Sequence, residues 1–195
     1  MHTKLRFKPA ILISLILFGF ISGSCKKDEL TPKNYDLNIL LHYEPVKVLF
    51  QYDYSIRDNF RSGWFIDYKG ILRKYNLPDN WESDSLGYYD FTCLNKNCNQ
   101  SIIIGQVYLE KLIENAALIE GALNGEISEK VYFCCSFLPL GTGSFYCFSW
   151  DPEKKKIKRQ LLSVSGDWSQ INKTPEAIQL TEYLKDINQA VKRSE

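Results

Sequence analysis

The first 24 residues decide how much of this chain is available to fold. Lys4, Arg6 and Lys8 form a basic start, an apolar run follows over residues 10–21, and three small residues then lead to Cys25. This order is typical of a secretory signal. The apolar run is also too short to span a bilayer core of ~30 Å, which takes about 20 residues. We therefore expect residues 1–24 to be a signal peptide that is removed.

The cleavage region has a second, more specific likeness. Ile21-Ser22-Gly23-Ser24-Cys25 resembles a bacterial lipobox, with Ser22 where leucine is usual, as in the looser lipoboxes of Bacteroidota. Lys26-Lys27-Asp28-Glu29 is similar to the charged signal that sends lipoproteins of that group to the outer face of the outer membrane. The resemblance implies an acylated (palmitate-bearing) Cys25 and a membrane partner reached through this lipid. It implies exposure at the cell surface, with a periplasm-facing orientation as the alternative.

The mature chain would contain 171 residues, enough for one domain with a sizeable core. We expect a polar tether over residues 25–34 and a single α+β domain over residues 35–195. Three of the 24 basic residues and none of the 23 acidic ones lie in the signal, so the mature chain has a formal charge of −2. Such a balance gives no reason to expect nucleic acid as a partner.

Local patterns predict a largely antiparallel sheet with hairpins, packed by a middle helix and a C-terminal amphipathic helix. Strands are predicted over residues 36–43, 46–54, 130–138, 144–150 and 157–164, and a hairpin over residues 64–75. Asp67 and Gly70 are suited to the turn of that hairpin, and Asp151-Pro152-Glu153-Lys154 to a second turn. Residues 76–99 are expected to be irregular, with at most a short helical turn.

Two segments predict helices. Residues 106–120 carry a helical apolar pattern, and Gly121 is a natural stop. Thr174 and Pro175 suit a cap and a first turn, and a single apolar stripe follows them. The stripe consists of Ala177, Leu180, Tyr183, Leu184, Ile187 and Val191.

Five cysteines remain besides Cys25, and in an exported protein they should tend to pair. Cys93 and Cys98 flank a polar, turn-forming segment, which suggests a local disulfide. If residues 130–138 and 144–150 form a hairpin centred on Gly141, then Cys135 faces Cys147. This register predicts a second disulfide and leaves Cys134 as a buried or a reactive thiol.

The sequence contains no complete catalytic, metal or cofactor motif, and we expect neither a metal nor a cofactor. His42 is the single histidine after the signal, which excludes a His-rich zinc site and favours a structural or surface role. Carboxylates such as Asp53 are numerous, but a glycosidase needs two at a defined separation in a cleft. Whether the protein is an enzyme is therefore left open, with a non-catalytic role favoured.

Aromatic residues in loop-like segments are the candidate ligand-binding groups, because such rings are enriched at binding hot spots. They are Trp81, Tyr88, Tyr89 and Trp168. We therefore expect a lipid-anchored protein that binds a glycan, a peptide or a partner protein without catalysis. The alternatives are a small carboxylate-dependent hydrolase and an inhibitor or assembly factor that acts through residues 76–99.

Overall fold

The structure is a computed structural model that describes residues 38–56, 60–76, 88–89, 91–133 and 141–194, without the side chains of residues 60 and 91–95. The strands in these ranges are β1 Val48–Ile56, β2 Phe60–Asp67, β3 Ile71–Asn76, β4 Tyr88–Tyr89, β5 Ile102–Gln106, β6 Val131–Tyr132, β7 Thr142–Asp151, β8 Lys156–Gly166 and β9 Trp168–Ile171. The helices are α1 Asn38–His42, α2 Phe91–Gln100, α3 Leu109–Ala116, α4 Ile119–Leu123 and α5 Pro175–Ser194. The predicted signal and tether, with Cys25, lie outside the described residues. None of the five described helices combines the length and apolarity that crossing a bilayer requires.

The described strands form one antiparallel sheet. Their order is β5-β3-β2-β1-β7-β8-β9-β6, and β4 pairs with the first part of β8. The central pair joins the two halves of the chain, since Phe50 of β1 stands opposite Cys147 of β7. The predicted α+β class with a largely antiparallel sheet is confirmed.

Helices pack on both faces of this sheet. On one face, α4 and α5 contact each other and both contact β8, and Phe50 meets Tyr183 of α5 with 6.1 Å between ring centroids. On the other face α2 contacts β3, where Cys98 and Arg73 line one depression. The central strand β1 is buried on both sides, as the full burial of the neighbouring residues Phe50 and Gln51 shows.

The two predicted turns are confirmed, and aspartate side chains hold both. Asp67 Oδ1 accepts hydrogen bonds from the backbone N–H groups of Lys69 and Ile71, each at 2.9 Å, and Gly70 adopts a φ of +79°. Asp151 Oδ1 similarly accepts from the two N–H groups at positions 153 and 154, at 3.1 and 3.0 Å. These carboxylates therefore serve the turns by satisfying local backbone donors.

The C-terminal helix also forms as predicted. Thr174 Oγ1 accepts the N–H of Ala177 at 3.2 Å, which caps the helix, and α5 then continues to Ser194. Ala177, Leu180 and Leu184 of the predicted stripe are fully buried, and the rest of the stripe packs on the same core. The stripe thus attaches α5 to the sheet.

Three local predictions are wrong. The strand predicted over residues 36–43 is not found where the structure describes this segment, because Asn38–His42 is helical and the next residue, Tyr43, turns into the core and donates to Ala116 O at 3.3 Å. The apolar run was too short to distinguish the two periodicities. Residues 91–100 form a ten-residue helix, although the sequence predicted an irregular segment with a short helical turn at most up to residue 99.

The third error concerns the middle helix, which begins at Leu109, ends at Ala116, and resumes as α4. Gly121 does not stop it but lies inside α4. A Cβ there would approach Glu176 Cγ of α5 to 2.5 Å, so the glycine allows the two helices to meet closely. Residues 102–106, before the helix, form the unpredicted strand β5.

The predicted hairpin between residues 130–138 and 144–150 is also wrong. Both edges of β7 are occupied, by β1 and by β8, so Cys147 faces Phe50 and Gln160 instead of Cys135. β6 pairs with β9. Cys135 itself lies outside the described residues.

The cysteines that the structure describes with their side chains are not in disulfides. Cys98 and Cys147 are both free thiols, and burial raises their pKa values to about 11 and about 12. The segment between Cys93 and Cys98 is part of α2, so the expected local loop is absent. Thiols with such raised pKa values are unreactive near neutral pH, because the thiolate is the nucleophile.

Candidate functional site

The predicted aromatic site is not assembled in the described residues. Trp81 lies outside them. Tyr89 is 1 % exposed and belongs to the core, where its ring meets Phe148 at 6.2 Å and Arg159 lies 4.9 Å above it. Tyr89 is therefore excluded as a surface contact for a ligand, because its position opposite Ile157 of β8 turns it inward.

Tyr88 serves the turn after β7. Its hydroxyl donates to Asp151 Oδ2 at 3.2 Å and accepts from Lys154 Nζ at 2.7 Å, and the same ammonium lies 4.5 Å from the ring centroid. These contacts fasten β4 to the turn between β7 and β8. They give Tyr88 a structural role, and its predicted contact with a ligand stays a prediction.

Trp168 is half-buried on β9, and Lys130 Nζ lies 3.8 Å from its ring centroid. Tyr132 pairs with it across β6 and β9 and is largely exposed. Trp168 therefore keeps a surface position, although its expected neighbourhood with Trp81 remains a prediction.

His42 is exposed at the end of α1, as expected of a surface histidine. Its ring makes an edge contact with Tyr43, with 5.3 Å between centroids. Over the described part of the chain, no group of three or more His, Cys, Asp or Glu side chains is placed to hold a metal ion.

A polar network is buried on the sheet face opposite α5. The Asp53 carboxylate accepts from Arg61 Nη2 at 2.6 Å and from the Tyr75 hydroxyl at 3.2 Å. Gln51 Nε2 donates to that hydroxyl at 2.8 Å, and Arg159 Nη1 donates to Gln51 Oε1 at 3.4 Å. Burial, reinforced by Asp53, raises the pKa of Tyr75. Because these groups satisfy one another, the network connects four strands and is not an open site for a substrate.

A different site lies on the face that α5 covers, beneath the C-terminal half of that helix. We call it the α5 cleft, and its volume is about 360 Å³. Its lining residues are Tyr52, Tyr54, Ser62, Gly63, Trp64, Lys74, Asn76, Asn188, Val191 and Lys192. The volume lies at the lower end of the range for small-molecule sites, about 300–1,000 Å³.

The floor of the cleft is a grid of six side chains, two from each of three adjacent strands. Residues two apart on a strand share a face, and cross-strand pairing places them side by side. The two rows of the grid are Tyr52–Trp64–Lys74 and Tyr54–Ser62–Asn76. Asn188 and Lys192, four residues apart on α5, face the grid from above.

At one end of the grid the side chains contact one another closely. Trp64 Nε1 donates to Asn188 Oδ1 at 3.0 Å, and the Tyr52 ring stacks on Trp64 with 5.8 Å between centroids. Burial raises the pKa of Tyr52, and a hydrogen bond with Asn188 partly opposes this. A Cβ at Gly143 would lie 2.8 Å from the Tyr52 hydroxyl, so the glycine leaves room for that ring. The indole, the amide and the phenol thus hold one another in place.

Two lysine side chains bring positive charge to the cleft. Lys74 and Lys192 line it, and among its described lining residues there is no carboxylate, histidine or cysteine. The remaining polar groups are amides and hydroxyls, which can donate and accept hydrogen bonds. The cleft can therefore hold an anionic molecule that has hydroxyl groups and a face for aromatic contact.

Sequence reasoning missed this site because its residues come from four elements and span positions 52 to 192. A signal was nevertheless present, since the predicted hairpin at Asp67–Gly70 determines that Trp64 lies opposite Lys74. No protein-family model, curated protein or solved structure matches this chain. The fold and the cleft therefore define the class by themselves: an α+β protein with a small basic, aromatic cleft under its last helix.

Proposed function

We propose that this protein is a lipid-anchored binding protein of the outer membrane that holds an acidic sugar in the α5 cleft without catalysis. The observation that carries the proposal is the combination in one cleft of aromatic walls, amides and two ammonium groups. Of the ligands expected from the sequence, namely a glycan, a peptide or a partner protein, this chemistry favours a glycan.

The aromatic groups of the cleft match the C–H face of a sugar ring, and its polar groups match the ring hydroxyls. Tyr52 and Tyr54 are half-buried, so part of each ring borders the cleft, where it can pack against the C–H face of a pyranose. Ser62 and Asn76 can exchange hydrogen bonds with ring hydroxyls. The volume of about 360 Å³ suits a small ring better than an extended peptide.

The ammonium groups select for negative charge. Lys74 and Lys192 approach the cleft from a strand and from the helix, so a carboxylate on the sugar would have an ammonium on either side. A charge-assisted hydrogen bond contributes about 1.5–3 kcal/mol, more than a neutral one. Uronic and sialic acids fit this requirement, whereas a neutral hexose offers no charge for either ammonium to contact.

The proposal can be tested by isothermal titration calorimetry on the purified mature protein in non-ionic detergent. The probes are glucuronic acid and N-acetylneuraminic acid, compared with glucose and N-acetylglucosamine. We expect the acidic sugars to bind at least about tenfold more tightly than the neutral ones, since one charge-assisted contact is worth about 1.4 kcal/mol or more. Affinity should fall as salt is raised, because exposed charges are screened.

Helix α5 offers a matched pair of variants. Lys192→Ala removes an ammonium from the cleft and should weaken binding of the acidic sugars about tenfold. Lys185→Ala removes an exposed lysine of the same helix, paired with Glu182 outside the cleft, and should leave the affinity unchanged. Equal affinity for acidic and neutral sugars, or equal effects of the two variants, would refute the proposed ligand class.

Membrane attachment needs a separate measurement. Mass spectrometry of the N-terminal peptide from outer-membrane fractions should find chain cleavage before Cys25 and an acylated cysteine there. Several acyl chains would anchor the protein stably, because each buried CH₂ contributes ~0.8 kcal/mol. An unmodified N-terminus, or cleavage elsewhere, would show that the protein is not a lipoprotein.

A further inference from the structure

An unusual apolar surface lies at the edge of the sheet that ends in β5. Ile102, Ile103 and Ile104 are 70 %, 58 % and 41 % exposed, although isoleucine is among the residue types most often buried. Tyr108 and Leu109, just beyond the strand, are exposed as well. Contiguous exposed apolar side chains of this kind mark interaction surfaces.

The backbone of β5 can also form hydrogen bonds with a further strand at this edge. β5 pairs with β3 on one side and is the last of the described strands at this edge. An edge strand presents a row of N–H and C=O groups, which another extended chain can satisfy. Natural edges are usually protected by charges, prolines or bulges. Residues 97–109 contain no charge and no proline, and the pairing of β5 with β3 has one irregularity.

We propose that two copies of this protein pair β5 with β5 in antiparallel orientation about a two-fold axis. Such a pairing is isologous, so the same apolar patch covers itself in both copies. An axis through Ile103 places Ile102 of one copy opposite Ile104 of the other. Because residues 97–109 are uncharged, this register brings no like charges together.

The pairing also continues the architecture of the fold. The sheet is antiparallel throughout its described strands, and an antiparallel copy of β5 extends it across the two-fold axis. An apolar groove of about 340 Å³ beside β5, lined by Ile104, Val107 and Tyr108 with Ile187 of α5, widens the surface that a partner covers. This inference is independent of the ligand of the α5 cleft.

The test is sedimentation velocity of the purified lipidated protein in non-ionic detergent, with the protein mass separated from the detergent mass. We expect two chains per particle. Ile103→Lys should weaken the dimer about 100-fold or more, because it places two ammonium groups together at the axis, and like-charge contacts cost several kcal/mol. Ile178→Lys is the matched control, since Ile178 is 51 % exposed on α5 and does not line the β5 groove.

Position 103 allows a direct check of the register. Directly opposite residues of an antiparallel pair have Cα atoms about 4.5–5.5 Å apart, which suits a disulfide. Ile103→Cys should therefore give an oxidised dimer in membranes. Leu109→Cys should not, because Leu109 lies six positions from the axis and its counterpart across the axis is Asn97, which has no thiol.

Several results would overturn the inference. One chain per particle for the unmodified protein refutes it, as does a dimer that Ile103→Lys and Ile178→Lys affect equally. Cross-linking at Leu109→Cys in preference to Ile103→Cys refutes the register. If Ile103→Lys leaves the chain number unchanged but weakens binding to phosphatidylethanolamine vesicles, the patch faces the membrane and not a second copy. Thermal unfolding of each variant confirms that the fold is retained.

Discussion

Asn172 joins three elements of the fold through one side chain, and we predict that its removal is far more damaging than the loss of the neighbouring helix cap. Its Nδ2 donates to Ala122 O of α4 at 2.8 Å and to Leu161 O of β8 at 3.4 Å. Its Oδ1 accepts from the N–H and hydroxyl of Thr174 at 3.1 and 3.0 Å. The side chain is buried, and a Cβ at Gly125 would overlap it.

The magnitude follows from these contacts. Asn172→Ala removes three good hydrogen bonds and one long one, at about 1 kcal/mol each, and leaves the Ala122 carbonyl without this partner. We expect a loss of about 3–4 kcal/mol in the free energy of unfolding. Thr174→Ala removes the cap bond to Ala177 and the bond that its hydroxyl donates to Asn172 Oδ1, and should cost about 1–2 kcal/mol.

The assay is urea unfolding followed by far-ultraviolet circular dichroism. With a slope of about 2 kcal/mol/M, the midpoint should fall by roughly 1.5–2 M for Asn172→Ala and by roughly 0.5–1 M for Thr174→Ala, at constant slope. Equal shifts for the two variants would refute the idea that Asn172 links α4, β8 and α5.

A charge variant at the same position tests the donor side of the network. Asn172→Asp keeps an acceptor for Thr174 but points a carboxylate oxygen at the Ala122 carbonyl. Burial should raise the pKa of this carboxyl above its unfolded value of about 3.9. Below about pH 4 the carboxyl is protonated in both states, and the variant keeps its stability relative to the wild type. As the pH rises from there to the folded pKa, this stability is lost. The total loss is about 1.4 kcal/mol for each pH unit between the unfolded and the folded pKa. A deficit that is smaller at pH 8 than at pH 4 would contradict the geometry.

Two further predictions concern buried groups in the sheet. Because burial raises the pKa of Cys147 to about 12, N-ethylmaleimide at pH 7.5 should leave this thiol unmodified in the native protein. After denaturation without reductant, the same reagent should modify it, as peptide mass spectrometry can show. If modification requires a reductant, Cys147 is in a disulfide and the prediction is wrong. Asp53→Asn should lower the free energy of unfolding by about 1.5–3 kcal/mol, because Arg61 loses a carboxylate that is nearly buried. The control is Lys173→Ala, which removes the exposed ion pair between Lys173 and Glu126 and should cost less than about 1 kcal/mol. Equal losses of stability for the two variants in urea unfolding would show that Asp53 contributes no more than a surface ion pair does.

The parts of the fold that could be predicted are those whose information is local. The turns at Asp67 and Asp151 and the start of α5 at Thr174 each depend on a side chain that bonds to backbone within four residues. Such contacts are visible in a short window of sequence. They also survive errors elsewhere, because they do not depend on which strands become neighbours.

Strand partners could not be predicted in the same way. Ser144–Trp150 has the composition of a hairpin strand, and its nearest upstream candidate was residues 130–138. In the structure β1, nearly a hundred residues earlier, takes that edge and places Phe50 opposite Cys147. Which strand becomes the partner depends on the apolar surface that the whole sheet buries, and a local sequence pattern does not contain this information.

The candidate site illustrates a related limit, because loop aromatics were ranked above strand aromatics. Tyr89 proved to be core, whereas Tyr52 and Tyr54, inside the central strand, border the cleft. The reason is geometric. A row of eight strands spaced about 4.8 Å apart is about 34 Å wide, whereas a helix covers only about 10 Å of that width. A few helices therefore leave strand positions uncovered beside them.

Where such a gap opens depends on the course of α5 and on the side chains that it presents. The helix has 20 residues and a length of about 30 Å, and its buried stripe is densest in its first half, through Ala177, Leu180 and Leu184. Beyond that stretch Asn188 and Lys192 replace large apolar residues on the face toward the sheet, and the cleft begins there. A polar interruption in the stripe of a helix that covers a sheet is thus a sequence signal for a site, provided that the opposing strand positions are aromatic.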